Sequence, residues 1–386
     1  MLNERGEVRA MRIREIRAVG LKGATPPGGW SDELEPEDCV HTIVAVVTRE
    51  GIVGYGSVFT NDALVKAALD VLEPLYRGEN ALEPERVSEK LRQNTFWLGR
   101  GGAITNTISG IDIALWDILG KATGQPVGRL LGGRYRDRVR PYASVLTDEP
   151  ARLADKLAPI VSQGYRAFKI GWGPFGKGSA REDEQIVRAA REAVGPDAQL
   201  LVDAGASDAY WPHGYSWARR TAEMLADYDV GWFEEPLRPD ALEDFAELRR
   251  HTSVPIAGGE VLTRRQSFAP FIRAGAFDIV QPDATKVGGL SESRRIAWMA
   301  ETDGARLIPH GWNTAIGVAA DLHLASALPQ TDLIEYIAGS DYVDELVSGG
   351  WVLDGDGMLE IPDGPGLGIE IDEEALRRFT GGEPLL

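Results

Sequence analysis

The sequence predicts an α/β chain in which an eight-stranded (β/α) barrel follows a smaller α+β unit. Three observations carry this. From Val139 onward, short apolar runs alternate with amphipathic helical stretches; eight such runs can be counted; and the residues before them read as antiparallel strands followed by helices.

Residues 11 to 22 and 42 to 59 are rich in β-branched side chains, and Arg49-Glu50-Gly51 breaks the second run as a polar hairpin turn. From about residue 63 the period becomes helical, through ALVKAALDVLEPLY and then ITNTISGIDIALWDILGKATGQPVGRLLGG. The barrel strands are expected at 141–146, 167–172, 199–204, 230–236, 254–260, 278–283, 306–311 and 332–336. Starts at 230, 254 and 278 repeat at the length of one βα unit. The expected organisation is an α+β unit over 1–137, a barrel over 138–345, and a Gly/Pro-rich segment over 346–386 that returns to the first unit.

With 386 residues and 43% hydrophobic composition, the chain can bury a sizeable core, which excludes a disordered or fibrous protein. Its net charge of −18 repels nucleic acid and anionic lipid, and a free anionic substrate would need local cations or a metal. The single cysteine, Cys39, closes no intrachain disulfide, and no apolar run reaches the roughly 20 residues of a membrane helix. A cytoplasmic protein with a small-molecule partner is expected, with neither nucleic acid nor membrane as a partner.

In such a barrel the chemistry sits at the C-terminal ends of the strands. Asp203, Glu234 and Glu260 end three successive strand candidates, where unpaired acids would repel one another. A hard divalent cation relieves that conflict, and an oxygen-only ligand set favours Mg²⁺. Asp283 and His310 end adjacent strands, so the aspartate can fix the imidazole tautomer and make His310 a base. His41, His213, His251 and His323 lack such a placement and read as structural or surface residues. Lys169, inside the second strand, would meet an anion in the mouth, either a substrate carboxylate or an enolate oxygen. Glu335 ends the eighth strand.

This run of strand-end residues resembles the enolase superfamily, and the Asp/His pair resembles its mandelate racemase subgroup. Carrying the likeness are SGIDIALWDILGKATGQPVGRLLGG (109 to 133), FEEP (233 to 236), DATKVGG (283 to 289) and GDGMLEIPDGPGLGIEID (355 to 372). The resemblance implies an N-terminal capping domain completed by the C-terminal segment, a modified (β/α)₇β barrel of TIM type, one Mg²⁺ per subunit, and abstraction of the proton α to a carboxylate. It implies Asp203, Glu234 and Glu260 as metal ligands, Glu235 as the non-ligand acid of FEEP, and Asp283 with His310 as the catalytic dyad. It implies Glu335 as the acid that donates to the substrate carboxylate, and a symmetric homo-oligomer. Aligned without a gap, Lys169 is the first lysine of a Lys-x-Lys motif and Gly171 replaces the second. With a one-residue gap, Lys169 is the second. Gly205 stands where relatives commonly carry Asn.

One confident base suits syn elimination, in which the imidazolium formed by abstraction protonates the departing hydroxide. The expected activity is dehydration of an aldonate or aldarate to a 2-keto-3-deoxy acid. The alternative is a racemase or epimerase of an α-hydroxy or α-amino acid with Lys169 as the opposing base, and a catalytically silent acid-sugar sensor is a third reading. Residues 22 to 38 are expected to form a lid, with Trp172 and Trp312 shaping the pocket.

Overall fold

The computed structural model describes residues 10–22, 40–208 and 210–386. The segment read as a lid lies outside them except for Lys22, and so does Cys39.

An antiparallel sheet opens the chain, with β1 (Ile13–Leu21), β2 (His41–Thr48) and β3 (Val53–Phe59) in that order. The expected hairpin turn is present: Thr48 receives and gives backbone hydrogen bonds across it, and Gly51 adopts φ 90°. Helices α1 (Asp62–Tyr76), α2 (Pro84–Asn94), α3 (Ala103–Thr123) and α4 (Val127–Leu130) follow. Helix α3 is buried along most of its length because it lies directly on β3. Glycines permit that approach: a methyl on Gly56 would come within 2.0 Å of the Gly110 carbonyl oxygen, and one on Gly54 within 2.1 Å of that of Ala114.

The barrel alternates β4 (Arg138–Leu146), α5 (Pro150–Ser162), β5 (Ala167–Gly171), α6 (Ala180–Val194), β6 (Gln199–Asp203), α7 (Tyr215–Ala226), β7 (Val230–Glu234) and α8 (Leu242–His251). It continues with β8 (Ile256–Gly258), α9 (Arg264–Ala274), β9 (Ile279–Val280), α10 (Gly289–Thr302), β10 (Arg306–Leu307), α11 (Ala315–Ala327) and β11 (Leu333–Ile337). Parallel pairing runs β10-β9-β8-β7-β6-β5-β4-β11. The Thr331 hydroxyl, donating to the Leu307 carbonyl, links the two ends of this run. All eight expected strands are present; β8 spans three residues rather than the seven expected, and β9 and β10 are shorter still, at two residues each. Pro282 and Pro309 explain the last two, since neither has an N–H to extend the ladder, and pairing resumes beyond them as a single Asp283–His310 bridge.

After α12 (Asp341–Asp344), the short β12 (Leu359–Glu360) pairs antiparallel with β4. Further on, the Val127 N–H donates to Gly366, the Leu367 N–H to Asp117, and the Lys22 N–H to Phe379 within α13 (Glu373–Phe379). The C-terminal segment thus touches both the barrel and the first unit.

One layer inside the barrel positions everything above it. Tyr142, Ala167, Leu201, Trp232, Ala257, Ile279, Ile308 and Leu333 form a buried apolar floor with members from all eight strand segments. Side chains two residues further along a strand face the same way. That rule places Ser144, Lys169, Asp203, Glu234, Gln281, His310 and Glu335 in a polar tier above the floor. Among the described residues no helix is long and apolar enough to cross a membrane.

Candidate active site

The polar tier surrounds a cavity of about 280 Å³ lined by Lys169, Asp203, Glu260, His310 and Glu335, together with Trp172 and Trp312. Ligand oxygens of Asp203, Glu234 and Glu260 all lie within 4.8 Å of one another, and all three residues are buried. Asp203 and Glu234 are the last residues of β6 and β7. Glu260 follows β8 by two residues, brought round by Gly259 at φ 115°.

The surroundings fix these oxygens. Glu234 Oε2 accepts from the Trp232 indole at 2.9 Å and from Gln281 at 2.8 Å, while Asp203 Oδ1 accepts from the Gly205 N–H at 2.8 Å. Burial pushes the Asp203 carboxyl up to about 6, with Glu260 adding to the rise and Lys169 opposing it. Glu234 is pushed up to about 7 by burial, with Asp203 and Glu335 overriding the pull of Lys169. Glu235 behaves similarly: burial, then Glu260 and Asp203, drive its carboxyl well above the carboxylate range. Its backbone sits at φ 39°, an uncommon conformation for a residue with a side chain. Buried oxygen donors without sulfur or imidazole match what a hard divalent cation requires.

Lys169 is the cation already in this cluster. Its Nζ lies 2.6 Å from Glu234, 2.9 Å from Glu335 and 3.4 Å from Asp203. Burial works against its charge, but these carboxylates hold its pKa well above the usual lysine value. The next inward position is Gly171, where a methyl would meet Asp203 Cβ at 2.5 Å. Strand β5 therefore presents one lysine to the mouth, and it is fully engaged.

His310 Nδ1 lies 2.7 Å from Asp283 Oδ2, and its Nε2 lies 3.3 Å from Glu260 Oε2. Thr285 steadies the aspartate, giving its N–H at 2.7 Å and its hydroxyl at 2.5 Å to Oδ1. Burial disfavours the imidazolium, yet Glu260 foremost, then Glu335 and Asp283, bring His310 up to about 9. The carboxylate partner holds Nδ1 protonated, so Nε2 is the atom that faces the cavity.

Glu335 sits within β11. Burial alone would raise its carboxyl, but Lys169, His310 and the Gly311 N–H at 2.8 Å lower it to about 2. Here it accepts from the Gly311 N–H and lies beside the Lys169 ammonium.

The remaining histidines have other duties. His323 accepts from the Gly128 N–H and faces the Leu367 carbonyl, His213 stacks on Trp217, and His251 is exposed. His41 is buried edge-on to Phe59, whose ring in turn stands 6.5 Å from His310. Phe59, from β3, carries the first unit into the site. Sequence reasoning missed this contact, the hydrogen bond from Gln281, and Lys286 in the cavity wall. The floor-plus-two periodicity would have found Gln281, and the DATKVGG run contains Lys286.

Trp172, at φ 59°, lays its ring against Gly205, where a methyl would come within 2.7 Å of the indole. Glycine at this position thus makes room for the tryptophan wall.

An acid triad, an adjoining Asp/His pair and a lysine thus lie together at the mouth of a parallel barrel, the place where barrel enzymes carry their chemistry. Family comparison agrees: residues 37–132 match the mandelate racemase / muconate lactonizing enzyme N-terminal domain, and residues 152–375 match the enolase C-terminal domain-like family. The chain is 34% identical to a D-galactarolactone cycloisomerase of Agrobacterium fabrum, across 97% of this chain and 100% of that one. It is 31% identical to a D-xylonate dehydratase of Haloferax volcanii, across 99% and 92% respectively. A solved mandelate racemase/muconate lactonizing enzyme-like protein from Rubrobacter xylanophilus superimposes with a TM-score of 0.85 at 30% identity, covering 98% of this chain and 100% of that one. The chain belongs to the enolase superfamily, in its mandelate racemase/muconate lactonizing enzyme group, and is an enzyme.

Proposed function

We propose that the protein is a Mg²⁺-dependent dehydratase of an acid sugar, an aldonate or aldarate, yielding a 2-keto-3-deoxy acid. The observation that carries this reading is the single available base. His310 presents Nε2 to the cavity with Asp283 behind it, whereas Lys169, the candidate for an opposing base, is held within 3.4 Å of three carboxylates. Racemisation, which needs a second base on the opposite face of the carbon, is disfavoured.

Asp203, Glu234 and Glu260 would hold the ion. When bound, Mg²⁺ supplies Lewis-acid polarisation of the substrate carboxylate, which makes the α-proton removable. His310 Nε2 takes the proton from C2, and the C2–H electron pair forms the C2–C3 double bond as the C3–O bond breaks. The same imidazolium returns its proton to the departing hydroxide, releasing water. The enol product then tautomerises to the keto acid. Lys169 offers positive charge beside the growing charge on the carboxylate oxygens, and Glu335 holds Lys169 in place. Asp283 keeps the imidazole oriented throughout and stabilises its protonated form.

The test is incubation with a panel of aldonates and aldarates in Mg²⁺, with detection of the keto acid. Turnover by wild type and a loss of at least about 1,000-fold in His310→Asn are expected. No keto acid across the panel would overturn the reading. A second reading, cycloisomerisation of an acid-sugar lactone, is favoured by the Agrobacterium relative and uses the same proton abstraction, with the ring oxygen as leaving group. Loss of lactone without release of water identifies it.

A further inference from the structure

Lys286 stands in the cavity wall without a role in the chemistry above. It follows β9, while Lys169 lies on β5, and in the order β4 to β11 these strands are four apart in either direction round an eight-stranded barrel. The two lysines therefore enter the cavity lining from opposite sides of the barrel. Their commitments differ. Lys169 is within 3.4 Å of three carboxylates. Lys286 has only Asp283, at 3.9 Å, through an oxygen already bound at 2.7 Å to His310.

The backbone aims Lys286 deliberately. Its N–H closes a turn on the Asp283 carbonyl, and its Nζ lies 4.4 Å over the Phe59 ring, which shields one side of the ammonium from water. Among the described residues lining the cavity, it is the one lysine without a carboxylate within hydrogen-bonding distance. An ammonium held half-desolvated at a substrate cavity, in a chain of net charge −18, needs an anion from the ligand.

Resting on the dehydratase reading, in which the reacting carboxylate lies at the acid triad and Lys169, we infer that Lys286 receives a second carboxylate at the far end of the substrate. The substrate class is then the dicarboxylic acid sugars, aldarates and their lactones, rather than monocarboxylic aldonates. Lys286 is a specificity residue, acting on the end of the molecule away from the breaking bonds.

The experiment compares kcat/KM for a six-carbon aldarate and the aldonate of matching stereochemistry in wild type, Lys286→Met and Lys286→Arg. Alongside, it measures affinity for the unreactive six-carbon diacid adipate and for hexanoate by titration calorimetry of the Mg²⁺-loaded enzyme. Wild type should favour the diacid, and Lys286→Met should reduce the diacid-to-monoacid ratio roughly 10- to 100-fold, mainly through KM. Lys286→Arg should keep most of the preference, which also guards against misfolding as the cause. A wild-type preference for aldonates, or an unchanged ratio in Lys286→Met, overturns the inference. If no acid sugar of either class reacts, the dehydratase reading falls, and adipate binding then decides Lys286 separately: a selective loss in Lys286→Met supports the second-carboxylate site, and equal affinity removes it.

Discussion

On α3, Asp112 and Asp117 are buried as deeply as Asp203 and Glu234 at the barrel mouth, but the neighbours differ. Asp117 receives the Tyr55 N–H at 3.0 Å, the Leu367 N–H at 2.9 Å and the Lys121 ammonium at 2.7 Å. Asp112 receives the Ser88 and Ser291 hydroxyls at 2.7 and 2.6 Å and the Ser291 N–H at 3.0 Å. These bonds tie β3, the C-terminal segment and α10 to one helix. At the mouth, Asp203, Glu234 and Glu335 crowd around one lysine, and Glu260 adjoins His310. A buried acid met by donors acts as a staple, whereas buried acids facing one another draw positive charge to themselves.

Replacing a mouth acid should give the widest separation between activity and stability. Glu234→Gln is expected to reduce turnover by at least about 1,000-fold and to abolish the rise in Tm expected when Mg²⁺ is added to wild type, while changing metal-free stability far less, since the lost attraction to Lys169 is offset by relief of repulsion from Asp203 and Glu335. Thermal melts with and without Mg²⁺, paired with keto-acid assays, check this. A large loss of metal-free stability would break the comparison.

Asp117→Ala should do the opposite. It strands the Tyr55 and Leu367 N–H groups and removes the carboxylate partner of Lys121, and a loss of about 3 kcal/mol is expected in urea unfolding, with kcat retained by the folded fraction. A substantially smaller loss would mean the staple is dispensable.

Asp112 sharpens the contrast through pH. Burial pushes its carboxyl up to about 6 against the hydrogen bonds from Ser291 and Ser88. Because the folded pKa lies above the ordinary 3.8, folding favours the protonated form; its stabilising contribution is full below about pH 4 and is lost as pH rises through 6. That shift corresponds to about 3 kcal/mol. Asp112→Asn, which cannot ionise, should gain that much relative to wild type between pH 4 and pH 7, whatever constant cost the amide brings. Parallel stability-pH curves would contradict it.

Gly205→Ala should have the smallest effect. The residue sits at φ 63° with the Trp172 ring in the space a methyl would take, so a loss of about 1 to 2 kcal/mol and a severalfold rise in KM are expected from displacing the indole. Kinetics and a melt together measure both.

The amino-acid sequence by itself determined the barrel, because eight apolar runs at βα spacing can bury their faces in few other ways, and a period of two aims alternate side chains into one mouth. Asp203, Glu234, Asp283 and His310 were legible for that reason: each follows an apolar run where a charge is otherwise costly. Lys286 and Phe59 were not, because a lysine on a turn and an aromatic residue on a strand carry no local mark of facing the same cavity; only the meeting of β3 with the turn after β9 puts them 4.4 Å apart. The sequence displays Gly171 and Gly205 as missing side chains, but only packing shows that Asp203 and Trp172 occupy their space. Protonation was decided at the same level. Lys169, Glu335 and His310 take their charge states from neighbours tens to more than a hundred residues away in the chain, and electrostatic energy depends on distance through space, which folding alone sets.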